Sequence, residues 1–219
     1  MSSPLEVDYY SDVLCVWAWI AQRRIDEIHE SWGDAVRMRF RFVNVFGDAV
    51  NHIDKRWADR GGAAGFAKHV RASAAPYESA PVNPSIWRDI QPRTSVTAHL
   101  VLKAAELTTT VKDAAKLAVL VRSGFFVDAL DVGSLKTVLE IADQAGFDTT
   151  VLMSAVESGQ AQAALMADYE QSQRLNIQGS PSWVLNNGRQ ILYGNVGYRV
   201  LNANIAELAK SPGEEASWC

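Results

Sequence analysis

The chain has 219 residues, of which 48% are hydrophobic and 21% are charged, and its formal net charge is -4. This composition is typical of a globular protein long enough to bury its own core. The mildly negative charge gives no basic field for nucleic acid, and no apolar run is long enough to span a membrane, so the composition excludes both classes of partner.

The chain opens with a predicted strand, helix and second strand. Residues 5–10 alternate in polarity, which is typical of a half-buried strand. From Trp17 the apolar residues recur at spacings of three and four, and Gly33 lies where a helix C-cap glycine is expected, so a helix is predicted between them. Val36–Phe42 alternates strictly between apolar residues and arginines, which predicts the second strand.

The residues before the first strand bear on location. Residues 1–4 are few and polar, and a strand begins at about Leu5. They leave no room for the positive and apolar regions of a secretory signal peptide. We therefore expect a cytoplasmic protein.

The middle of the chain is predicted to be helical. Residues 44–93 hold four of the seven prolines and the pair Gly61-Gly62, so we expect loops and one short helix there. After them, apolar residues recur with helical spacing as far as about Leu175, which predicts five helices. These helices are expected from Thr94, from about Asp113 to Phe125, from Asp131 to Gly146, from Asp148 to Gly159, and around Leu165.

Alternating polarity returns near the end of the chain. Residues 183–185 and 190–193 predict two short strands, and Asn186-Asn187-Gly188 between them predicts a hairpin turn. A last helix is predicted on Tyr198, Leu201, Ile205 and Leu208. A right-handed crossover makes the first two strands parallel, so the order predicts an α/β fold with a mixed four-stranded sheet.

Cys15 is the candidate catalytic residue. It lies where the first strand gives way to the first helix. A helix N-terminus carries free N–H groups and a partial positive charge, which stabilise a thiolate. The pKa of a thiol at such a position can fall to about 3.5–7.5. The alternative is that Cys15 is a small buried hydrophobic residue, because free cysteine is among the most buried residue types.

Gly179-Ser180-Pro181, directly before the third strand, is the second candidate site segment. The simplest interpretation is a plain turn. However, a proline at the start of a central strand removes a donor from the ladder and needs a special reason. A cis peptide bond between Ser180 and Pro181 would supply one. It would also leave neighbouring backbone groups free to bind an extended thiol substrate.

Together these residues carry a resemblance to a known family. Residues 11–19, Ser-Asp-Val-Leu-Cys-Val-Trp-Ala-Trp, resemble the opening motif of cytoplasmic DsbA-like proteins. That family includes the kappa-class glutathione transferases and the 2-hydroxychromene-2-carboxylate isomerases. Residues 177–183 resemble its cis-proline loop, and Pro92-Arg93-Thr94 resembles the start of its helical domain. The resemblance covers the chain from about Leu5 to Leu208.

The resemblance implies a thioredoxin fold with an inserted all-helical domain and strand order 2-1-3-4. The core would comprise residues 1–50 and 176–210, the helical insertion residues 51–175, and a mobile tail residues 211–219. The arginine-bearing second strand would then be an edge, where charged side chains deter unwanted pairing. Members of the family are often dimers, so the resemblance leaves a homodimer open.

Two departures from the family pattern bear on function. Redox members carry Cys-x-x-Cys at this position, whereas this chain reads Cys-Val-Trp-Ala from Cys15. Ala18 cannot resolve a mixed disulfide, so a self-contained dithiol cycle at this motif is excluded. The transferase and isomerase members have a serine in place of Cys15 and keep glutathione as the reacting thiol.

The glutathione region also departs from the family. In the transferase and isomerase members, the glutathione-binding region after the last strand looks like Gly-Ser-Asp. This chain has Gly194-Asn195-Val196 there, without the carboxylate. Glutathione therefore stays a candidate cofactor, with Asn51 and Asn195 as candidate contacts, and simple loop polarity is the alternative interpretation of both. Trp17 is a candidate substrate-binding residue together with Gly179, Ser180 and Pro181, although packing in the core is the alternative for Trp17.

Other chemistry is not predicted. The histidines show no ligand spacing with either cysteine, which argues against a metal site. Gly61-Gly62 does not follow a strand with phosphate-loop spacing, which argues against a nucleotide. We expect His99 to be a hydrogen-bonded core residue, and His52 and His69 to be solvated. Cys219 ends the chain, where it is either an exposed cysteine without a role, a resolving thiol for Cys15, or a site of pairing between molecules.

Three functions stay open. In the first, the protein is a monothiol oxidoreductase: Cys15 attacks a small thiol or disulfide substrate, and glutathione or another external thiol resolves the product. In the second, it is a glutathione-dependent transferase or isomerase of the kappa-like type, in which Cys15 stands in for the serine. In the third, it is a non-catalytic binding module in which Cys15 serves packing. The retained cysteine facing a cis-proline loop favours the first.

Overall fold

Four strands and nine helices make up the part of the chain that this computed structural model describes, residues 4–210 and 213. The strands are β1 (Leu5–Ser11), β2 (Val36–Phe42), β3 (Ser182–Leu185) and β4 (Gln190–Tyr193). The helices are α1 (Val16–Trp32), α2 (Ala49–Trp57), α3 (Gly62–Ala74), α4 (Val96–Thr108), α5 (Val111–Phe126), α6 (Leu135–Gln144), α7 (Thr149–Glu157), α8 (Gln160–Arg174) and α9 (Tyr198–Lys210).

The sheet has the order β2-β1-β3-β4. β1 runs parallel to β2 and antiparallel to β3, and β3 and β4 form an antiparallel hairpin. Asn186, Asn187 and Gly188 in the hairpin turn all have positive φ, which asparagine and glycine tolerate better than other residues. The predicted thioredoxin fold and its strand order 2-1-3-4 are confirmed.

The alternating residues of β1 separate two cores. Leu5, Val7 and Tyr9 point to one face of the sheet, where they pack against α1 and α9. The apolar residues that these helices contribute are Ala21, Ile25 and Ile28 of α1, and Leu201, Ile205 and Leu208 of α9. The N-terminal turn of α1 belongs instead to a larger core that continues into the helices of the middle of the chain. The start of α1, which carries the candidate thiol, therefore lies where the sheet meets the helical part.

A buried ion cluster joins β2 to the helices. Asp168 of α8 is 2% exposed, and its carboxylate lies 2.7 Å from Nζ of Lys103 in α4 and 3.1 Å from Nη1 of Arg41 in β2. The backbone N–H of Phe42 donates to the same carboxylate at 3.1 Å. One carboxylate thus fixes two helices to the edge strand.

The segment before α4 is more regular than the sequence predicts. Residues 44–93 contain two helices, α2 and α3, rather than loops and one short helix. Asp48 caps α2 by accepting a hydrogen bond from the N–H of Asn51 at 3.2 Å. Phe46, Phe66 and Trp87 then pack ring against ring. Contacts distant in sequence therefore stabilise helices that local spacing did not predict.

The predicted division into core and insertion stays a prediction. The boundary expected at residue 51 falls within α2. Cys219 and the predicted tail, residue 213 apart, lie outside the described residues. Within the described part of the chain, every helix is too short or too polar to cross a membrane.

Replacing Asp168 with Ala should strongly destabilise the fold. The change removes the buried carboxylate beside Lys103, which then keeps only Glu106 at 2.6 Å, and loss of one partner of a buried ion pair costs about 3–5 kcal/mol. Urea denaturation followed by circular dichroism measures the free energy of unfolding. Glu170→Ala, two residues further along α8, is the matched control, because its pair with Arg174 is solvent-exposed and worth about 1 kcal/mol or less. Equal losses for both variants would contradict a buried role for Asp168.

Candidate active site

Cys15 occupies the N-cap of α1. Its backbone is extended, and its carbonyl oxygen accepts hydrogen bonds from the N–H groups of Ala18 at 3.0 Å and Trp19 at 3.1 Å. The side chain does not cap the helix; the thiol instead donates to the carbonyl oxygen of Ser180 at 3.3 Å. The first helix and the loop before β3 thus meet at this sulfur.

The loop before β3 is fixed to the turn that carries Cys15. The peptide bond between Ser180 and Pro181, for which the sequence predicts a cis geometry, is cis. The hydroxyl of Ser180 accepts a hydrogen bond from the N–H of Asp12 at 2.9 Å, and the hydroxyl of Ser182 donates to the carbonyl oxygen of Gly179 at 2.9 Å. Side-chain hydroxyls on both sides of Pro181 therefore hold the loop in place.

The turn between β1 and α1 is organised by the carboxylate of Asp12, which is fully buried. One oxygen accepts from the N–H of Leu14 at 3.0 Å. The other accepts from the N–H groups of Val45 at 3.2 Å and Phe46 at 2.9 Å, and from the hydroxyl of Ser95 at 2.8 Å. All four partners are donors, as an ionised carboxylate requires. Asp12 therefore connects the turn to the segment after β2 and to the start of α4.

His99 is a buried, neutral neighbour of this carboxylate. Its Nε2 accepts a hydrogen bond from the N–H of Val13 at 3.2 Å, so the ring proton is on Nδ1, which lies 3.4 Å from the hydroxyl of Tyr169. The ring stacks on Phe42 with centroids 4.4 Å apart. Burial lowers the pKa of His99 to about 4. The prediction of a hydrogen-bonded core histidine is confirmed.

The lowered pKa that a helix N-terminus can give a thiol is not found at Cys15. Burial of the thiol raises its pKa above the ordinary value, and the negative charge of Asp12 adds to the increase. Ser180 and the N–H groups of Ala18 and Trp17 act in the opposite direction but do not outweigh burial. The thiol form is therefore favoured in the free protein, despite the helix N-terminus.

Cys15 opens into a cleft of about 780 Å³. Trp17, Gly179 and Ser180 also line this cleft. Pro181 is buried behind the loop and is not among the lining residues. Trp17 also packs against the larger core, so the same side chain both contributes to packing and lines the cleft. The structure thus brings three of the four predicted substrate-binding residues together at the thiol.

The two candidate glutathione contacts lie elsewhere. The amide Nδ2 of Asn51 donates to the carboxylate of Asp48 at 2.6 Å, within the first turn of α2. The amide Nδ2 of Asn195 donates to the hydroxyl of Tyr77 at 2.9 Å. Neither residue lines the cleft at Cys15. Their assignment to glutathione stays a prediction.

Several cleft residues were missed by sequence reasoning. The largest group comes from α2, α3 and the turn between them: His52, Arg56, Trp57, Arg60, Phe66 and His69. His69 is exposed, as expected, but His52 is half-buried, and burial lowers the pKa of both histidines. No signal in the sequence marked this group, because only one short helix was predicted in this segment. Asp12, by contrast, could have been singled out from the sequence, because it is an acidic residue directly before the apolar pair Val13-Leu14.

Among the residues that the structure describes, no group of three or more histidine, cysteine or acidic side chains could hold a metal ion.

Comparisons with known proteins agree with the fold. The profile of the DSBA-like thioredoxin domain family matches residues 6–206. Among curated protein sequences, none matches the chain significantly. Of the solved structures, a probable DsbA oxidoreductase from Streptomyces coelicolor has a TM-score of 0.76 at 18% identity, over 98% of this chain and 94% of that one.

Two further structures extend the likeness. The cytosolic disulfide reductase DsbM from Pseudomonas aeruginosa has a TM-score of 0.70 at 18% identity, over 93% of this chain and 100% of that one, and it also has a structure with GSH. A 2-hydroxychromene-2-carboxylate isomerase has a TM-score of 0.69 at 13% identity, over 97% of this chain and 100% of that one. At these identities the likeness establishes the fold alone.

The reactivity of Cys15 should increase with pH beyond the range of an ordinary thiol. We expect the rate of alkylation by iodoacetamide in a Cys219→Ser protein to rise still above pH 9, because the pKa of Cys15 lies above its ordinary value of 9.0. Asp12→Asn removes a buried negative charge and should shift the profile to lower pH. Asp26→Asn, on the exposed side of α1, is the matched control. A profile of the Cys219→Ser protein that levels off below pH 8 would contradict the buried environment.

Stability should fall in mild acid because of His99. Its pKa is about 4 in the folded protein against 6.5 unfolded. The unfolded state therefore binds a proton first as the pH falls from 6.5 to 4, which costs up to about 3 kcal/mol of stability and is fully regained above pH 6.5. Urea denaturation across this range should give a smaller pH dependence for His99→Gln than for the wild type. Parallel pH dependences would contradict the assignment.

Proposed function

This chain belongs to the DsbA-like thioredoxin family, and we propose that it is a thiol–disulfide oxidoreductase that acts through the single thiol of Cys15. One observation carries the proposal: the thiol at the N-terminus of α1 donates to the carbonyl of Ser180, directly before Pro181, and opens into a cleft. The position where a redox motif would have its second cysteine is Ala18, which is fully buried.

The first step is attack by Cys15 on a small disulfide. The thiol loses its proton, and the thiolate forms a bond to one sulfur of the substrate while the substrate S–S bond breaks. The departing thiolate takes up a proton. The N–H groups of Trp17 and Ala18, at the N-terminus of α1, favour the charged form of the Cys15 sulfur. Gly179 and Ser180 lie beside the sulfur in the cleft and bind the substrate.

The second step needs an external thiol, since Ala18 has none. We propose glutathione: its thiolate attacks the mixed disulfide, releases Cys15 as the thiol and leaves as a new disulfide. The likeness to a disulfide reductase with a GSH-containing structure supports this choice. Asn51 and Asn195 are retained as candidate contacts for glutathione, and we propose that neither a metal nor a nucleotide takes part.

The setting of the reaction is part of the proposal. The likeness to a reductase described as cytosolic supports a cytoplasmic location. A small thiol or disulfide is the proposed partner. A homodimer, and the absence of nucleic-acid and membrane partners, are predictions from the sequence.

Oxidised glutathione should form one adduct, on Cys15. In a Cys219→Ser protein, intact-protein mass spectrometry should detect a single glutathione adduct that forms faster as the pH rises and disappears when reduced glutathione is added. A protein with Cys15→Ser as well should form none. Turnover of a small disulfide, coupled to glutathione reductase and NADPH, should fall to the uncatalysed rate when Cys15 is replaced by Ser.

The other outcomes separate the alternative functions. Activity retained by Cys15→Ser would contradict the single-thiol mechanism and favour a kappa-like transferase or isomerase. A Cys15 that forms no adduct, in a protein that calorimetry shows not to bind millimolar glutathione, would favour a non-catalytic binding module.

A further inference from the structure

One wall of the cleft at Cys15 combines cationic and aromatic side chains. α2, the turn that follows it, and α3 contribute Arg56, Trp57, Arg60 and Phe66 to this wall. The ring of Trp57 packs on that of Phe66 with centroids 5.3 Å apart, and the guanidinium of Arg60 lies over the Trp57 ring at 5.4 Å. The wall therefore presents two cations beside an aromatic surface.

The two cations have no anionic partner within the described part of the chain. Neither Arg56 nor Arg60 forms an ion pair there, and no Asp or Glu lines the cleft. His52 and His69 add no charge near neutral pH, because burial and the neighbouring arginines lower the pKa of each. The positive charge of the cleft thus comes from these two arginines.

Several other arginines of the same protein do have carboxylate partners, whereas Arg93 and Arg199, which lie away from the cleft, have none among the described residues. Arg23 pairs with Glu27 at 2.7 Å, Arg39 with Asp8 at 2.7 Å and Arg41 with Asp168 at 3.1 Å. A guanidinium matches a carboxylate with two parallel hydrogen bonds. Two unpaired guanidiniums in a cleft that contains a thiol therefore leave room for an anion supplied by the ligand.

We propose that the disulfide substrate is an aromatic carboxylate, whose carboxylate binds Arg56 and Arg60 while its ring packs at Trp57 and Phe66. This inference rests on the proposed function, because it places the reacting sulfur of the substrate at Cys15. A cleft of about 780 Å³ is of the size that proteins use for small ligands. In the reaction, the Cys15 thiolate bonds to one substrate sulfur, the substrate S–S bond breaks, and one aromatic thiol leaves with a proton. The substrate disulfide is the oxidant, and the external thiol is the reductant.

Two aromatic disulfides of different charge test the inference. Dithiobis(nitrobenzoate) is anionic and dithiodipyridine is uncharged, and each releases a coloured thiol when Cys15 of a full-length Cys219→Ser protein attacks it. We expect Arg56→Gln with Arg60→Gln to lower the rate constant for dithiobis(nitrobenzoate) about tenfold, and to change that for dithiodipyridine less than about twofold. Added salt should lower the preference for the anionic probe in the parent protein.

A matched control separates local from overall charge. Arg93 and Arg199 are exposed and do not line the cleft, so the Arg93→Gln, Arg199→Gln protein has the same net charge as the cleft variant. It should keep the charge preference of the parent. Equal losses in the control and the cleft variant, or a cleft variant that slows both probes equally, would overturn the inference.

The aromatic part of the inference has its own test. Trp57→Leu should slow the reaction of dithiobis(nitrobenzoate) more than that of dithiodipropionate, which is anionic but aliphatic. Equal slowing would overturn the role of the ring surface. If Cys15 reacts with dithiodipyridine but without dependence on the arginines, only this inference fails. If Cys15 reacts with none of the probes, the proposed function itself fails.

Discussion

The carboxylate of Asp12, fully buried between β1 and α1, accepts hydrogen bonds from Leu14, Val45, Phe46 and Ser95. These donors belong to three segments that are distant in sequence: the turn that carries the thiol, the segment after β2 and the start of α4. Each donor would cost about 1–3 kcal/mol if it stayed buried without an acceptor. The N–H of Asp12 also donates to the Ser180 hydroxyl. One residue therefore sets the position of the thiol relative to both the sheet and the helical part.

The same carboxylate works against ionisation of the thiol that it positions. Its charge adds to the burial that raises the pKa of Cys15. His99 offers no compensation, since burial keeps it neutral. Arg122 is a buried cation near the turn, and it donates to the Ser11 hydroxyl at 2.6 Å. Its Nε and Nη1 have no hydrogen-bond partner among the described residues. The Asp12 carboxylate that orders the turn therefore also makes the Cys15 thiol less acidic.

The parts of this protein that the sequence predicts are those with local signals. The alternation of β1 and β2 and the helical spacing of α1 depend on neighbours only a few residues apart, and they are correct. The pKa of Cys15 depends instead on its burial, on Ser180, 165 residues away, and on Asp12, whose own position depends on Phe46 and Ser95. Only one short helix was predicted where α2 and α3 lie, for a related reason: their stability comes from a capping Asp48 and from the packing of Trp57 against Phe66. Arg56 and Arg60, which these helices and the turn between them place on the cleft wall, were therefore not predicted as part of the site either.

The raised pKa and the missing second cysteine have a common consequence for the proposed reaction. When an external thiol attacks a mixed disulfide, the sulfur with the lower thiol pKa leaves more readily. Burial makes Cys15 the poorer leaving group, so attack expels the substrate thiol more readily than it releases Cys15. Ala18 provides no internal thiol to direct the attack to the other sulfur. In the proposed reaction, attack that releases Cys15 is therefore less favoured than attack that expels the substrate thiol, and we expect the mixed disulfide to persist. The proposed binding of the substrate carboxylate at Arg56 and Arg60 would stabilise that covalent state further.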